Sequence, residues 1–411
     1  MKKFLILLLV FTCAGVWAQD FGFGFGDDSE AVSSSASSAK VKVSGDITVE
    51  LSPFVHDFGK EEGAQEISFW DMVSGTLNFS ASGSNIEAFA SFNLNADAIR
   101  ELGDANPMLD DPTYTPLIMN EAYLKAYIGA VNIEAGLRKL TWGKADSPGP
   151  LDVTNPMDYT DLRYITDTLA CKIARPMIHV TWNAGAFSKL EGVFIPNFAG
   201  HRFAMDGRWR PSQYDSIRSN AEAGISSIAD EKLKLMASDP AFIPIYMANH
   251  NIMNEVLIGV GGGLAYLGED PSFPSTGAFE NFQAGLHYTT TIGSADIGAQ
   301  YFYGNLFRPN FTIAGIDAYL EDLAKNILSG ADPIKYDNTS MISPQLKYTR
   351  YHQIGVDYAQ VLFGFNVRAE AAFNLTEDFS GDDGSVQNPF IGWSLGFDRD
   401  LFLGVNLNLQ C

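Results

Sequence analysis

Beyond residue 18 the chain has no uninterrupted apolar run of the roughly 18 to 20 residues that a spanning helix needs, so membrane helices are excluded. Cysteine is scarce: of three in 411 residues, only Cys171 and Cys411 lie past the first stretch, too few for a disulfide framework and without metal-ligand spacing. Basic side chains are outnumbered, 27 Lys and Arg against 49 Asp and Glu, for a formal charge of −22. Nucleic acid and anionic surfaces are disfavoured as partners by that sign. The six histidines, His56, His179, His201, His250, His287 and His352, show no pair at helical ligand spacing and read as isolated strand or loop residues. No GxSxG occurs, and in the glycine-rich run at 259–264 Leu264 stands where a phosphate loop would place its third glycine. An enzyme is not expected, and neither is a cofactor or a metal.

What is present begins with MKK, an apolar FLILLLVF and Val16-Trp17-Ala18, which has the small-residue shape of a cleavage site. Residues 1–18 therefore read as a cleaved secretory signal peptide, and its loss would deepen the acidic excess by removing Lys2 and Lys3. Cys13 lacks the small preceding residue of a lipid-attachment site, since Val10-Phe11-Thr12 stands before it. Residues 19–40 form a Gly- and Ser-rich polar lead.

From residue 41 the pattern has a period of two. Val41, Val43, Gly45, Ile47, Val49 and Leu51 share one face, and Lys42, Ser44, Asp46, Thr48 and Glu50 the other. The same alternation marks 73–82, 85–94, 121–128, 131–138, 361–374 and 401–410, with further candidates at 173–182, 187–195, 254–267, 279–292, 295–304, 346–358 and 390–398. Soluble sandwiches also alternate, but their strands are usually shorter, and here charge is confined to one face in the clearest strands. A basic side chain facing lipid at mid-bilayer costs about 2 to 4 kcal/mol, which accounts for a one-sided ban on charge. The expected fold is all-β, an antiparallel transmembrane β-barrel of about 14 strands (about 12 to 16) over residues 41–411.

Connections alternate in length. Short ones fall at Gly83-Ser84, Gly129-Ala130, 183–186, Gly293-Ser294 and Ala359-Gln360; long ones at 52–68, 96–119, 143–172, 196–253, 305–345 and 376–389. Bacterial barrels pair short periplasmic turns with long external loops in this way. Residues 268–278 break the rhythm, which leaves room for a strand within 196–253. Helical spacing occurs at 213–237 and 316–328, inside long loops, where a helix could cap the pore or lie on the rim.

One segment stands apart: LTWGKADSPGPLDVTNPMDYTDLRYI, residues 140–165, is rich in Asp, Pro and Gly between smooth strands. Arg138-x-x-x-Trp142-Gly143 followed by Asp152-Val153-Thr154-Asn155-Pro156-x-Asp158, then Pro176-Met177 opening a strand, resembles a group of porin-like bacterial outer-membrane proteins of poorly defined substrate. The resemblance covers about forty residues and implies an outer-membrane channel or porin-like transporter, not a particular solute. Asx side chains cap local N–H groups and proline stiffens the chain, so loop 143–172 is expected to be rigid enough to fold inward. Arg138, Lys139, Lys144 and Arg163 would then face Asp146, Asp152, Asp158 and Asp161 across a constriction; the competing reading is a solvated external loop. Arg368 and Glu370, on a polar strand face, are further pore-lining candidates.

The resulting expectation is a channel in the cell outer membrane that passes small hydrophilic solutes and favours cations because its mouth is acidic. Its partners would be outer-membrane lipid, the outer-membrane assembly machinery and the solutes, and a homo-oligomer is compatible with this reading. Two alternatives are a surface adhesin or structural barrel acting through its long loops, and a transporter for apolar substrates.

Overall fold

The protein is described here by a computed structural model covering residues 40–49, 73–95, 98–99, 118–145, 148–162, 165, 167–204, 209–212, 279–314, 318, 322, 343–381, 386–401 and 405–411. The strands are β1 (Lys40–Val49), β2 (Val73–Ser82), β3 (Ile86–Asn93), β4 (Met119–Ile128), β5 (Val131–Arg138), β6 (Asp158–Tyr159), β7 (Arg175–Asn183), β8 (Ser188–Ile195) and β9 (Arg202–Phe203). They continue with β10 (Gln283–Ile292), β11 (Ala295–Asn305), β12 (Asn310–Ala314), β13 (Ser343–Lys347), β14 (Arg350–Leu362), β15 (Phe365–Thr376), β16 (Phe390–Asp400) and β17 (Asn406–Gln410).

Thirteen of them form one antiparallel sheet in the order β1-β2-β3-β4-β5-β7-β8-β10-β11-β14-β15-β16-β17, a meander in which every neighbour is the next main strand along the chain. The remaining four make two small pairs, β12 with β13 and, in parallel, β6 with β9. Among the described residues no pairing joins β1 to β17. The architecture is the all-β, barrel-type class expected from the alternation.

The sheet is inverted relative to a water-soluble one. On one face Ile178, Trp182, Leu286, Ile354, Ile391 and Trp393 are exposed, Trp393 to 63%, whereas on the other Glu134, His179, Glu191, Gln353, Asp357 and Glu370 are buried, Glu370 to 4%. Period-two alternation aligns these sets along each strand, and the antiparallel register joins them across strands: Glu134 lies beside His179, and Asp357 beside Glu370. An apolar surface of this extent has no place in water and fits the lipid side of a barrel wall.

Turn chemistry sets the hairpins. Gly129 (φ 61°) and Gly293 (φ 65°) open two-residue turns after β4 and β10. The turn between β14 and β15 is Phe363-Gly364, with φ 54° and 79°, and not the expected Ala359-Gln360. Positive φ at both central positions is what a type I′ turn demands, and glycine supplies one of them. The apolar run VLFGF hid this turn, because Val361, Phe363 and Phe365 read as one continuous face although Leu362 pairs with Phe365.

Other boundaries move as well. The last strand starts at Asn406, not Leu401, and the candidate at 346–358 divides into β13 and β14. The candidate strand 254–267, the helical pattern 213–237 and most of 316–328 lie outside the described residues, as does the N-terminal stretch 1–39.

Candidate functional site: a strap across the polar face

The chain between β5 and β7 leaves the sheet, crosses its polar face and returns, and its two ends are tied together. Leu140 N donates to Asn155 Oδ1 (2.8 Å), while Asn155 Nδ2 donates to the Arg138 carbonyl (2.9 Å) and the Ile173 carbonyl (2.9 Å). One amide thus serves the last residue of β5, the second residue past its end and the approach to β7. It is buried to 1% and satisfied by its partners. Thr154 Oγ1 adds a bond to the Leu140 carbonyl (2.9 Å).

Lys172 closes the same neck: its Nζ reaches the Leu140 carbonyl (2.8 Å), Thr141 Oγ1 (2.7 Å) and Asp152 Oδ1 (2.7 Å), using all three of its donors. Burial pushes the Asp152 carboxyl up and the Lys172 ammonium down, and their mutual attraction opposes both shifts. Just before Lys172, the single-turn helix α1 (Thr168–Cys171) is capped by Asp167 Oδ1, which accepts from Ala170 N at 3.0 Å.

From the neck the strap runs to strands that lie about 150 to 226 positions further along the sequence. Glu370 on β15 accepts the backbone N–H groups of Lys144, Ala145 (2.6 Å) and Leu151 (3.4 Å), and Lys144 Nζ reaches Asp357 on β14 at 2.7 Å. Gln300 on β11 donates to the Leu151 carbonyl (3.1 Å) and Gln353 on β14 to the Pro150 carbonyl (2.9 Å). Leu151, fully buried, seats over Gly355, where a Cβ would come within 2.2 Å of its Cδ2. Gly143 adopts φ 89°, and a Cβ there would come within 2.4 Å of Glu370 Oε1.

The strap also brings an apolar foot. Leu140 and Trp142 pack with Met177, Val193, Ile195, Phe302 and Tyr351, all on the otherwise polar face. These residues break the polar pattern because the strap covers them.

Beside the strap runs a row of ionisable groups, each from a different element. Lys125 on β4 meets Glu134 on β5 (3.1 Å), Glu134 meets His179 on β7 (3.1 Å), and His179 meets Glu191 on β8 (3.3 Å). Glu191 meets His287 on β10 (3.6 Å), His287 meets Asp357 (2.8 Å), and Asp357 meets the strap's Lys144. Trp142 lies against His287 with ring centroids 5.5 Å apart. Between strap and wall a cavity of about 350 Å³ is lined by Thr141, Lys144, Lys189, Glu191, His287 and Asp296 among others.

The expected residues distribute unevenly over this arrangement. Lys144, Asp152, Asn155 and Glu370 all hold the strap. The expected pairing of basic and acidic side chains across a gap is not what these contacts form. Arg138 binds Glu121 (3.3 Å) and Glu134 (2.9 Å) on the sheet and stacks on Tyr123, 4.1 Å from the ring. Lys139 donates to the Leu169 carbonyl (3.1 Å), Asp152 binds Lys172, and Asp158 binds Arg202 (3.3 Å). Arg138 and Asp158 found partners on the neighbouring strand, and Lys139 and Asp152 found theirs within the strap, where desolvation is shared. Arg368 pairs with Asp398 on β16. Asp161 sits just after β6, and Asp146 and Arg163 lie outside the described residues.

The reading of His179 and His287 as isolated is overturned by the row. In the sequence they read only as strand or loop residues; cross-strand register brings them between carboxylates, and register was not legible. Gln300, Gln353 and Asp357 were missed for the same reason, and Lys172 because its partners Leu140, Thr141 and Asp152 lie 20 to 32 positions back in the chain. Among the described residues no group of three or more His, Cys, Asp or Glu converges as a metal site.

No protein-family model matches the chain, and no curated protein matches it. Solved structures that resemble it include a porin (10% identity, 90% of this chain and 93% of that one, TM-score 0.32). Salmonella typhi OmpF in complex with daunomycin matches at 8% identity over 90% of this chain and 77% of the other, TM-score 0.34. Acinetobacter baumannii OccAB3 matches at 10% identity over 88% and 76%, TM-score 0.25.

Proposed function

We propose that the chain is a porin-type channel of the outer membrane, and that the strap narrows its passage so that small hydrophilic solutes diffuse through. The observation that carries this reading is the anchored strap: a loop tied at its neck by Asn155 and Lys172 and held across the polar face by Glu370 and Asp357. A loop that merely covered the outside would have no reason to spend buried backbone groups on far strands. With 49 acidic against 27 basic side chains, the passage is expected to favour cations.

Single-channel recording in a planar bilayer tests the proposal. Refolded protein whose gel mobility shifts on heating should give discrete conductance steps, and replacement of Lys144–Leu151 by a short Gly-Ser linker should raise the step size about twofold or more. Folded protein that gives no steps would sink the channel reading.

A further inference from the structure

The row Glu134–His179–Glu191–His287–Asp357 has a chemical peculiarity. Each imidazole has a carboxylate oxygen against each of its ring nitrogens: Nδ1 and Nε2 of His179 face Glu134 and Glu191, and those of His287 face Glu191 and Asp357. A neutral imidazole carries one N–H and can satisfy one such oxygen; an imidazolium satisfies both. The rings hydrogen-bond Glu134 (3.1 Å) and Asp357 (2.8 Å), while Glu191 faces their other nitrogens at the ion-pair distances of 3.3 and 3.6 Å. It is therefore toward Glu191 that each lost proton leaves a lone pair facing a carboxylate.

Two of its members, Glu191 and His287, also line the cavity beside the strap, and His179 stands directly behind Glu191. Charge changes on these rings reach the cavity well within the screening length of about 10 Å at 0.1 M salt. The other charges in contact with the row are Lys125 and Arg138 on Glu134, Lys189 on Glu191 and Lys144 on Asp357. Asp296 is a further charge that lines the cavity.

Resting on the channel reading, we propose that His179 and His287 set the charge of the strap cavity and so determine the channel's ion selectivity. Cation preference then grows as pH rises from about 5 to about 8, the interval in which imidazole is the side chain that changes charge. The other histidines with described positions are poorly placed for this. His201 is held neutral down to about 3 by burial, with Arg308 adding to the effect. His352 sits on the opposite face against the Tyr301 hydroxyl at 2.7 Å.

Reversal potentials in a potassium chloride gradient read the selectivity directly. The wild-type cation-to-anion permeability ratio should rise about threefold or more between about pH 5 and pH 8. The double variant His179→Gln with His287→Gln should give a flat ratio, and His287→Gln alone should lose the larger share of the dependence. Glu191→Gln should lower cation preference at the alkaline end. A wild-type ratio that does not move with pH overturns the inference even if no variant folds, and so does a double variant that keeps the full dependence. Absence of conductance steps would instead refute the channel itself, so the two failures are distinguishable.

Discussion

Asn155 shows how much one side chain can hold. Its amide joins the end of β5 to the approach of β7, and Asn155→Ala would leave the buried Leu140 N–H and two carbonyls without their partner. At about 1 to 3 kcal/mol for an unsatisfied buried group, the variant should lose roughly 2 to 4 kcal/mol. The temperature at which the folded gel band converts to the unfolded one should fall accordingly. His201 makes a second prediction. It accepts from Met157 N at 2.9 Å among Tyr159, Phe203 and Phe307, and burial keeps it uncharged down to about 3. An unfolded imidazole takes its proton near 6.5, so this group's stability contribution is fully present above about 6.5 and is lost as pH falls toward 3. Exchange of the Arg202 amide, bonded to the Met157 carbonyl, should accelerate with acid over that interval. His201→Asn, which keeps an acceptor near Nδ1 but cannot titrate, should flatten the response.

The strap is the element on which function is proposed to turn, and its seat can be disturbed without touching its sequence. Gly355→Val places a side chain where Leu151 lies, and Glu370→Gln turns a donor toward one of the N–H groups the carboxylate accepts. Each variant should keep the strand pairing and raise conductance or its fluctuation; an unchanged trace would mean the strap does not limit flow. Much of this element was legible in advance. Asx and Pro content marked a stiff loop, and the Arg138-to-Asp158 stretch marked where it starts. Its far anchors were not legible, because Glu370 and Gln353 differ from any other polar strand residue only in what the folded chain brings over them. The short strands β6 and β9 were invisible for a similar reason: two residues carry no period. At Phe363-Gly364 the pattern itself misled, since an aromatic residue in the turn extends the apparent alternation.

For the whole molecule, the division of faces is the strongest constraint. Ile354 and Thr289 lie on opposite faces of the sheet, one toward the exposed apolar side and one toward the cavity. Ile354→Lys should cost about 2 to 4 kcal/mol in a bilayer and abolish the heat-modifiable band, while Thr289→Lys should fold normally. Equal tolerance at both positions would contradict a lipid-facing exterior. The seat of the strap has a consequence in time. Lys144 and Ala145 close onto Glu370 across sequence separations of 226 and 225 residues, so the strap cannot lock until β15 has joined the sheet. Closure of so long a span comes late. On the proposed channel reading, a growing barrel is therefore unobstructed through most of its assembly, and would acquire its narrow passage as one of its last acts.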